Sequence, residues 1–504
     1  MTAVWVLGDQ LSRERGPLAD DPDRALFVEA SEFARRRRYH PQKLALVFAA
    51  MRNLADDLRA AGVEVAYERA DTFAEGLDAY FDAHPGDELL VQRPATHGAA
   101  DRLRDLVEAR GGSLRVVRNE QFICSPAEFD EWAADRDGDA YSHESFYRWM
   151  RRETGYLMAD GDPEGGEWNY DDQNRETPPA DYETPPLPEF AYGEHVPAVR
   201  EWVADEFDTW GDPEGFGWPV TREHAERALA DFLDRRLADF GPYEDAMLDA
   251  DWHLDHSLLS AALNVGLLEP REAVEAAISA YRERDDVPLN SVEGFVRQIV
   301  GWREFVRHVY RREMPDLAAA NQLDQHRELP PLYWDPDATD MACLRAAVGR
   351  VYDRGYTHHI ERLMVLSNFA LLYGASPQAL NEWFYGGFAD AYHWVVTPNV
   401  VGMGSFGTDA FTTKPYAASA NYVDRMSDFC AGCPYDPDSA TGADACPFNS
   451  LYWDFLAAHE DALRANHRMG LVYSHLDDKR DAGDLTAIRE RAGDVRSRAD
   501  AGEL

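Results

Sequence analysis

The first 117 residues alternate short apolar runs with longer amphipathic segments. Runs rich in β-branched and aromatic residues occupy 4–8, 25–30, 63–68, 88–93 and 114–119, and a helical period of apolar positions covers 41–61. Strands separated by helices predict a doubly wound parallel α/β domain. Such sheets bind ligands at the carboxyl ends of their strands, which makes Gly8, Asp9, Gln10 and Glu29 candidate cofactor contacts.

Two changes of pattern follow along the chain. Residues 126–196 are rich in Gly, Pro, Asp and Glu, a composition typical of a connector. Beyond them the β pattern gives way to long helical periods, for example over 221–238, 270–284, 292–312, 341–354 and 358–373. The predicted organisation is an α/β domain over 1–125, a connector over 126–196 and a large all-helical domain over 197–504.

The charge balance is strongly acidic. The net charge is −42, from 92 acidic and 50 basic residues, and the acids are spread through every segment. This spread favours the solvated surface of a halophile's protein over an acidic interaction arm. It also counts against DNA binding, unless a basic or aromatic patch lies inside the acidic shell. Because no secretory signal or apolar run of about 18 residues is found, we expect a cytoplasmic protein without a membrane span.

Four of the five cysteines suggest an inorganic centre. Cys430, Cys433 and Cys446 form a C-x2-C-x12-C pattern, and Cys343 lies 87 positions before Cys430. In a cytosolic chain this spacing indicates metal ligation or redox chemistry before disulfides. Tetrahedral zinc and a [4Fe–4S] cluster both need four thiolates, so the spacing leaves the two open. Cys124 has no cysteine nearby and is predicted to be a buried, small apolar residue.

Two segments of the helical half carry polar residues that core packing does not require. Ser257 and Ser260 precede a predicted helix, whose free N–H groups could hold a diphosphate, although an ordinary helix cap is the alternative. His358 and His359 begin an apolar helix and point to different faces of it. A histidine can donate a proton near neutral pH, which suggests a general acid; a surface pair is the alternative.

The densest aromatic run lies between 381 and 433. It contains Trp383, Phe384, Trp394, Tyr416 and Tyr422, with glycines in the intervening loops. Such a set suits a pocket for a planar ring and a nucleobase, because stacking can replace some of the missing positive charge.

Several of these motifs together resemble a known family. The segments GWREF, HHIERLM and TKPYAASANYVDRMSDFC, with DQL, YHPQKLALVFAAMRNLA, WNYDDQNRE and the cysteine spacing, resemble the prokaryotic (6-4) photolyases and iron–sulfur bacterial cryptochromes of the photolyase–cryptochrome family. The similarity runs over nearly the whole chain. It implies an N-terminal α/β domain holding a 6,7-dimethyl-8-ribityllumazine antenna. It also implies a helical domain holding bent FAD and a [4Fe–4S] cluster.

The resemblance also assigns roles to residues. It makes Cys343, Cys430, Cys433 and Cys446 cluster ligands and disfavours zinc. It places His358 and His359 beside the lesion, with His359 as the proton donor, and lines the same pocket with Tyr416 and Tyr422. The implied flavin contacts are His256, Ser257, Leu259, Ser260, Asn264, Trp302, Arg362 and Asp390.

The implied activity is light-dependent DNA repair by a carbon–carbon lyase. The antenna absorbs light and passes the energy to reduced FAD, an electron moves to a (6-4) pyrimidine photoproduct, and a histidine proton assists the repair. UV-damaged DNA is the expected partner, with the damaged base flipped from the stack, and a monomer is expected. The alternative on the same scaffold is a blue-light cryptochrome photoreceptor.

Photoreduction of the flavin requires an electron relay, for which the resemblance indicates Trp383 and Trp334. Phe384 departs from the group, which can carry a tyrosine at that position. A phenyl ring is a poor carrier of an electron hole and has no phenolic proton to lose, so the route at that step is left open.

Overall fold

The N-terminal part of the chain folds around a parallel sheet. A computed structural model describes residues 2–134 and 141–504. Five strands pair in the order β3-β2-β1-β4-β5, all parallel. Their bounds are β1 Thr2–Val6, β2 Arg24–Ala30, β3 Glu64–Ala70, β4 Glu88–Gln92 and β5 Ser113–Val117. This order is that of a doubly wound fold with its switch point between β1 and β4, which confirms the predicted fold class.

The two faces of the sheet pack against different partners. In β1, Ala3 and Trp5 join the cluster that contains Leu77, Tyr80 and Val107 from helices Phe73–Ala83 and Ala99–Glu108. Val4 and Val6 face the other way and join the core shared with the helical part of the molecule. Since side chains alternate along a strand, both faces are apolar and both are covered.

Helix Pro41–Ala60 connects the sheet to the helical part. Its first turn begins with Pro41, and the His40 side chain accepts a hydrogen bond from the Gln42 amide. The helix is buried on nearly every side, including the polar residues Gln42, Lys43 and Arg52. A helix apolar around most of its circumference lies between two layers. The prediction of a helix over 41–61 is therefore confirmed.

The segment predicted as a connector is partly helical. Helices Pro126–Ala134 and His143–Thr154, a short hairpin of Met158–Ala159 with Asp162–Pro163, and the 3₁₀ turn Asp171–Gln173 lie within it. Phe146 and Tyr147 are fully buried, which anchors this segment to the core. The Gly- and Pro-rich composition around these elements concealed their helical periods.

After residue 194 the described chain is helical. The longest predicted periods correspond to helices, but two are interrupted by π-helical turns, Arg297–Arg303 and Arg362–Ser367, and a third π-helix covers Pro398–Gly404. No described helix has the length and apolar character required to cross a membrane. The helices are His195–Glu206, Arg222–Arg235, Leu237–Phe240, Ser260–Val265, Pro270–Glu283, Leu289–Val296, Glu304–Glu313, Asp316–Ala319, Ala342–Arg354, His359–Glu361, Asn368–Tyr373, Pro377–Gly387, His393–Thr397, Ala420–Met426, Phe429–Gly432, Pro447–Ala458, Glu460–Leu463, Gly470–Ala482 and Leu485–Ala501.

Candidate functional site

A cavity of about 330 Å³ lies among the helices of the C-terminal half. Segments from all three π-helices contribute to its wall, and π turns are frequent at functional sites. Of the predicted site residues, it is lined by His256, Ser257, Ser260, Asn264, Trp302, His359, Arg362, Asp390 and Tyr416. Leu259 is buried at the start of helix Ser260–Val265, and its neighbour Leu258 reaches the cavity instead.

An ion pair on the cavity wall is held from several sides. Arg362 donates to both Asp390 oxygens at 3.0 Å, and its Nε donates to the Thr357 carbonyl at 2.6 Å. Ser260 Oγ donates to Asp390 at 2.6 Å, and Asn264 Nδ2 donates to the Asp390 carbonyl at 2.9 Å. With this many partners, both groups have fixed orientations. The wall therefore presents a cation, a carboxylate and an amide at defined positions.

The histidines divide between the cavity wall and the layer behind it. His256 and His359 line the cavity, whereas His358 is fully buried and its ring stacks on His256 with centroids 4.6 Å apart. The His359 ring is exposed to the open cavity, and the protein around it, followed by the Arg362 cation, lowers its pKa to about 4. Burial and the neighbouring His359 lower the pKa of His256 to about 3. Both rings are neutral at pH 7 in the absence of a ligand.

His358 has unusual surroundings. Neither of its ring nitrogens has a hydrogen-bond partner among the described residues, and its Nε2 lies 3.6 Å from Glu361 Oε1. Burial raises the pKa of Glu361 to about 7, opposed by the Arg350 cation. A buried carboxyl and two stacked imidazoles thus extend inward from the cavity wall.

Tyr416 and Tyr422 occupy different positions. Tyr416 lines the cavity, while the Tyr422 hydroxyl lies 3.5 Å from Asp245. Burial, and then repulsion from Glu244, raise the pKa of Asp245 to about 7. Glu244 lines the cavity and accepts a 2.6 Å hydrogen bond from Gln298 Nε2. Gln298 also lines the cavity and lies in the π-helix Arg297–Arg303.

A line of indole rings leads from the cavity region to the surface. Phe384 lines the cavity and meets the buried Trp383 edge to face, with ring centroids 5.2 Å apart. Trp383 lies 5.9 Å from Trp210, which lies 5.4 Å from the 41% exposed Trp334. Sequence reasoning found both ends but missed Trp210, because nothing near it in the chain marks it as part of the helical core.

A residue of the cavity wall and one behind the wall also escaped the sequence analysis. Tyr356 lines the cavity, and the Arg362 guanidinium lies 4.8 Å from its ring centroid. His143, from the segment predicted as a connector, stacks on Trp302 with centroids 3.7 Å apart. The adjacency of Tyr356 to the two histidines in sequence was the signal available for it. His143 had none, because its contact joins positions far apart in the chain.

The four predicted cluster ligands surround a second, small cavity. Cys343, Cys430, Cys433 and Cys446 line it together with apolar residues. Burial and the neighbouring thiols raise the pKa of Cys343 well above its usual value and that of Cys446 to about 12, with burial the larger cause. Within 2–134 and 141–504, no group of three or more His, Cys, Asp or Glu side chains could hold a metal ion. Cys124 is buried, as predicted.

The residues at the carboxyl edge of the sheet differ in their availability. Glu29 is engaged, since Arg52 donates to both of its oxygens at 2.6 and 2.9 Å and Tyr67 donates at 2.5 Å. Gln10 Nε2 donates to the Gln92 carbonyl at 3.0 Å. Burial raises the pKa of Asp9 to about 6. Of these residues, Asp9 retains a carboxyl group that could meet a ligand.

Known proteins share the sequence and the fold. A family model described as deoxyribodipyrimidine photo-lyase-related protein matches residues 4–218. A (6-4) photolyase of Agrobacterium fabrum is 41% identical over 482 residues, which cover 94% of each chain. A class III photolyase of Agrobacterium tumefaciens has a similar fold, with a TM-score of 0.59, 18% identity and coverage of 84% of this chain and 86% of the other. An archaeal photolyase of Sulfolobus tokodaii, with two FAD molecules, also has a similar fold. Its TM-score is 0.54 at 13% identity, and the match covers 82% of this chain and 85% of the other.

Proposed function

From its place in the photolyase–cryptochrome family, to which this chain belongs as a member of the prokaryotic (6-4) photolyase group, we propose that it repairs (6-4) photoproducts in DNA under light. One observation carries the proposal. The Arg362–Asp390 pair and His359 line the same cavity, so a cofactor and a proton donor would meet there.

The cavity residues fit FAD. Arg362 and Asp390 offer a cation and an acceptor to the edge of a heterocyclic ring, while Ser257, Ser260 and Asn264 offer polar groups at the end of a short helix. Phe295, Ile299 and Val400 supply the apolar wall that a planar ring system needs. Bound FAD in its reduced form would supply, on excitation, the electron that allows the carbon–carbon bond between the two pyrimidines of the lesion to break.

His359 is the proton donor in this proposal. The surrounding protein and the Arg362 cation disfavour its imidazolium form. Negative charge that develops on the lesion would reverse that balance and favour a proton on the His359 ring. His358, stacked on His256 behind the cavity wall, would hold the His256 ring in place.

The indole line serves photoreduction in this proposal. Trp334 contacts solvent and would be the terminal donor, with Trp210 and Trp383 as successive carriers. Phe384 separates Trp383 from the cavity by a single ring. The last step then passes across this ring, which removes the need for a second redox-active side chain there.

The four cysteines would hold a [4Fe–4S] cluster in this proposal. They line one small cavity, so a centre that needs four thiolates could be bound there. The cavity leaves zinc and a cluster equally open, and the resemblance of the chain to the iron–sulfur members of its family favours the cluster.

Damaged DNA and an antenna complete the proposal. The lesion would be flipped into the cavity between the lining aromatic residues Trp302, Trp394 and Tyr416, because a lesion within the stack cannot reach them. A ribityllumazine antenna would bind at the carboxyl edge of the sheet, near Asp9. Because the surface is acidic, the affinity for DNA would depend more on stacking with the bases than on contacts with the phosphates.

A repair assay tests the proposed function. Oligonucleotides with a single (6-4) photoproduct or a single cyclobutane dimer are incubated with reduced protein under blue light and in the dark, and restored bases are quantified by chromatography. We expect restoration of the (6-4) lesion in the light alone. No restoration in the light would leave the family membership intact and overturn the proposed repair activity.

A further inference from the structure

Lys43 is a buried cation at the junction of the two halves of the molecule. It projects from helix Pro41–Ala60, and 1% of it is exposed. Lys43, Lys414 and Lys479 are the only lysines among 50 basic residues. Lysine is almost never fully buried unless it is paired, so the position requires an explanation.

The ammonium group is held by uncharged partners. Nζ donates to the carbonyls of Tyr385 at 2.6 Å and Ala391 at 2.7 Å. The ring centroids of Tyr385, Tyr39 and Tyr392 lie 4.5, 5.1 and 5.8 Å from it. Carbonyl dipoles and ring faces replace its water, and neither acceptor is a carboxylate. The positive charge is therefore left uncompensated at short range.

Both carbonyls flank Asp390, the carboxylate member of the cavity ion pair, within the segment 385–391. Tyr385 lies in the last turn of helix Pro377–Gly387, and Ala391 directly follows Asp390. Asp390 is held by Arg362, Ser260 and Asn264 from the cavity side. Lys43 holds the same segment from the α/β side. Movement of this segment would displace the Asp390 carboxylate from the cavity wall.

We propose that Lys43 is a positioning residue of the flavin site, which fixes the segment carrying Asp390 and whose charge favours the reduced, anionic form of the bound flavin. This inference rests on the proposed flavin binding and adds a residue outside the cavity wall. A buried cation close to a redox group stabilises the state with more negative charge, and its influence is strong where water is excluded.

The charge of Lys43 depends on pH near neutrality. Burial is the largest influence and lowers its pKa to about 7, Asp390 raises it, and Arg37 lowers it. Bound anionic flavin would raise this pKa further. At pH 6 the Lys43 side chain is therefore protonated and positively charged. Well above pH 7 it is neutral as long as the bound flavin is oxidised.

The other titratable groups near Lys43 are His40, three phenols and, behind the phenols, Asp9. Burial, and to a smaller extent the Lys43 charge, lower the pKa of His40 to about 4, so His40 is neutral over the pH range of the test. Burial raises the pKa of Tyr39, Tyr385 and Tyr392, so all three stay neutral near pH 7. Burial raises the pKa of Asp9, which acts on Tyr385 and Tyr392, to about 6. Asp9→Asn is therefore measured in parallel, so that a pH effect of Asp9 can be subtracted.

The test uses Lys43→Met, which keeps the length of the stem and removes the charge and the donors. FAD affinity and the midpoint potential of the bound flavin are measured from pH 6 to 9. We expect about tenfold weaker binding, as for the loss of a charge-assisted hydrogen bond, and a lower potential. The difference in potential from the native protein should narrow above about pH 7. Lys479→Met, at a half-buried lysine over Trp453, is the matched control.

Two further variants separate charge from packing. Lys43→Gln keeps a donor without the charge and should lower the potential while retaining more affinity, and Lys43→Arg should restore the potential. If Lys43→Met does not fold, the potential of Lys43→Gln decides the question. An unchanged potential, or a change confined to lumazine content, would overturn the role of Lys43. A native protein that takes up no flavin would instead refute the proposed function.

Discussion

At the scale of the residue, the cavity explains why single substitutions should have separable effects. His359 and Arg362 lie on the cavity wall, whereas Trp383 and Trp210 lie behind Phe384. Groups on the wall would act on the bound molecules, and the indoles behind it would act on the redox state alone. A variant of the second class should therefore impair photoreduction and leave repair by pre-reduced protein intact.

Trp210→Phe is expected to slow photoreduction of the bound flavin by at least about tenfold, which corresponds to a barrier about 1.4 kcal/mol higher. Trp210 joins Trp383 to Trp334, and a phenyl ring at that position would interrupt the indole line. Absorbance of the flavin under blue light measures the rate. Trp218→Phe is the control, since Trp218 is equally buried and contacts Tyr356 instead. Equal photoreduction in native and Trp210→Phe protein would exclude this route.

Sequence reasoning reached the cavity wall but not all of the residues that support it, for a physical reason. His359, Arg362 and Asp390 are in motifs whose residue types are unusual for a core, so they could be singled out. Trp210 and His143 could not, because a tryptophan or histidine in isolation resembles a packing residue. Their importance comes from contacts with Trp383 and Trp302, which lie more than 150 positions away.

At the scale of the element, the alternation of periods predicted the sheet and most helices. The strand bounds and helix Pro41–Ala60 follow the pattern closely, because both periods persist over many residues. The π turns at Arg297–Arg303 and Arg362–Ser367 were not predictable, since one extra residue per turn hardly alters an apolar period. Those turns bring Gln298 and Arg362 to the cavity wall.

A centre bound by the four cysteines would link helix Ala342–Arg354 to the segment 430–446. Removal of this centre should therefore lower the stability of the fold. Cys343→Ala is expected to remove iron and sulfide and to lower the free energy of unfolding by about 4 kcal/mol, as for a cross-link that closes a loop of some 87 residues. Metal analysis and chemical denaturation under anaerobic conditions measure both. Cys124→Ala should keep the metal. Full iron and sulfide in Cys343→Ala would remove Cys343 from the ligand set.

At the scale of the whole molecule, the acidic charge is the dominant physical feature. A net charge of −42 makes the folded chain repel itself at low salt. Exposed ion pairs such as Arg35–Asp71 and Arg38–Asp208 contribute little to offset this repulsion. Charge alone argued against a DNA partner, whereas family membership points to one. The two agree if the cavity provides aromatic contacts that compensate for scarce cations.

Salt is therefore expected to stabilise the fold. An increase from about 0.1 M to about 1 M KCl shortens the Debye length from about 10 Å to about 3 Å, which screens repulsion between surface carboxylates. The midpoint of thermal unfolding should rise over this range, as measured by circular dichroism. Sucrose of equal osmolality serves as the control for excluded-solute effects. A midpoint that falls or stays constant in KCl would contradict a surface adapted to high salt.

In the proposed mechanism one cavity joins a light-driven electron donor to the proton donor His359. This is tested most directly by the yield of restored bases per absorbed photon from a (6-4) oligonucleotide, with pre-reduced native and His359→Ala proteins of equal flavin content. We predict repair by the native protein and a loss of at least about a hundredfold in the variant, as expected for removal of a general acid. Equal yields from the two proteins would contradict it.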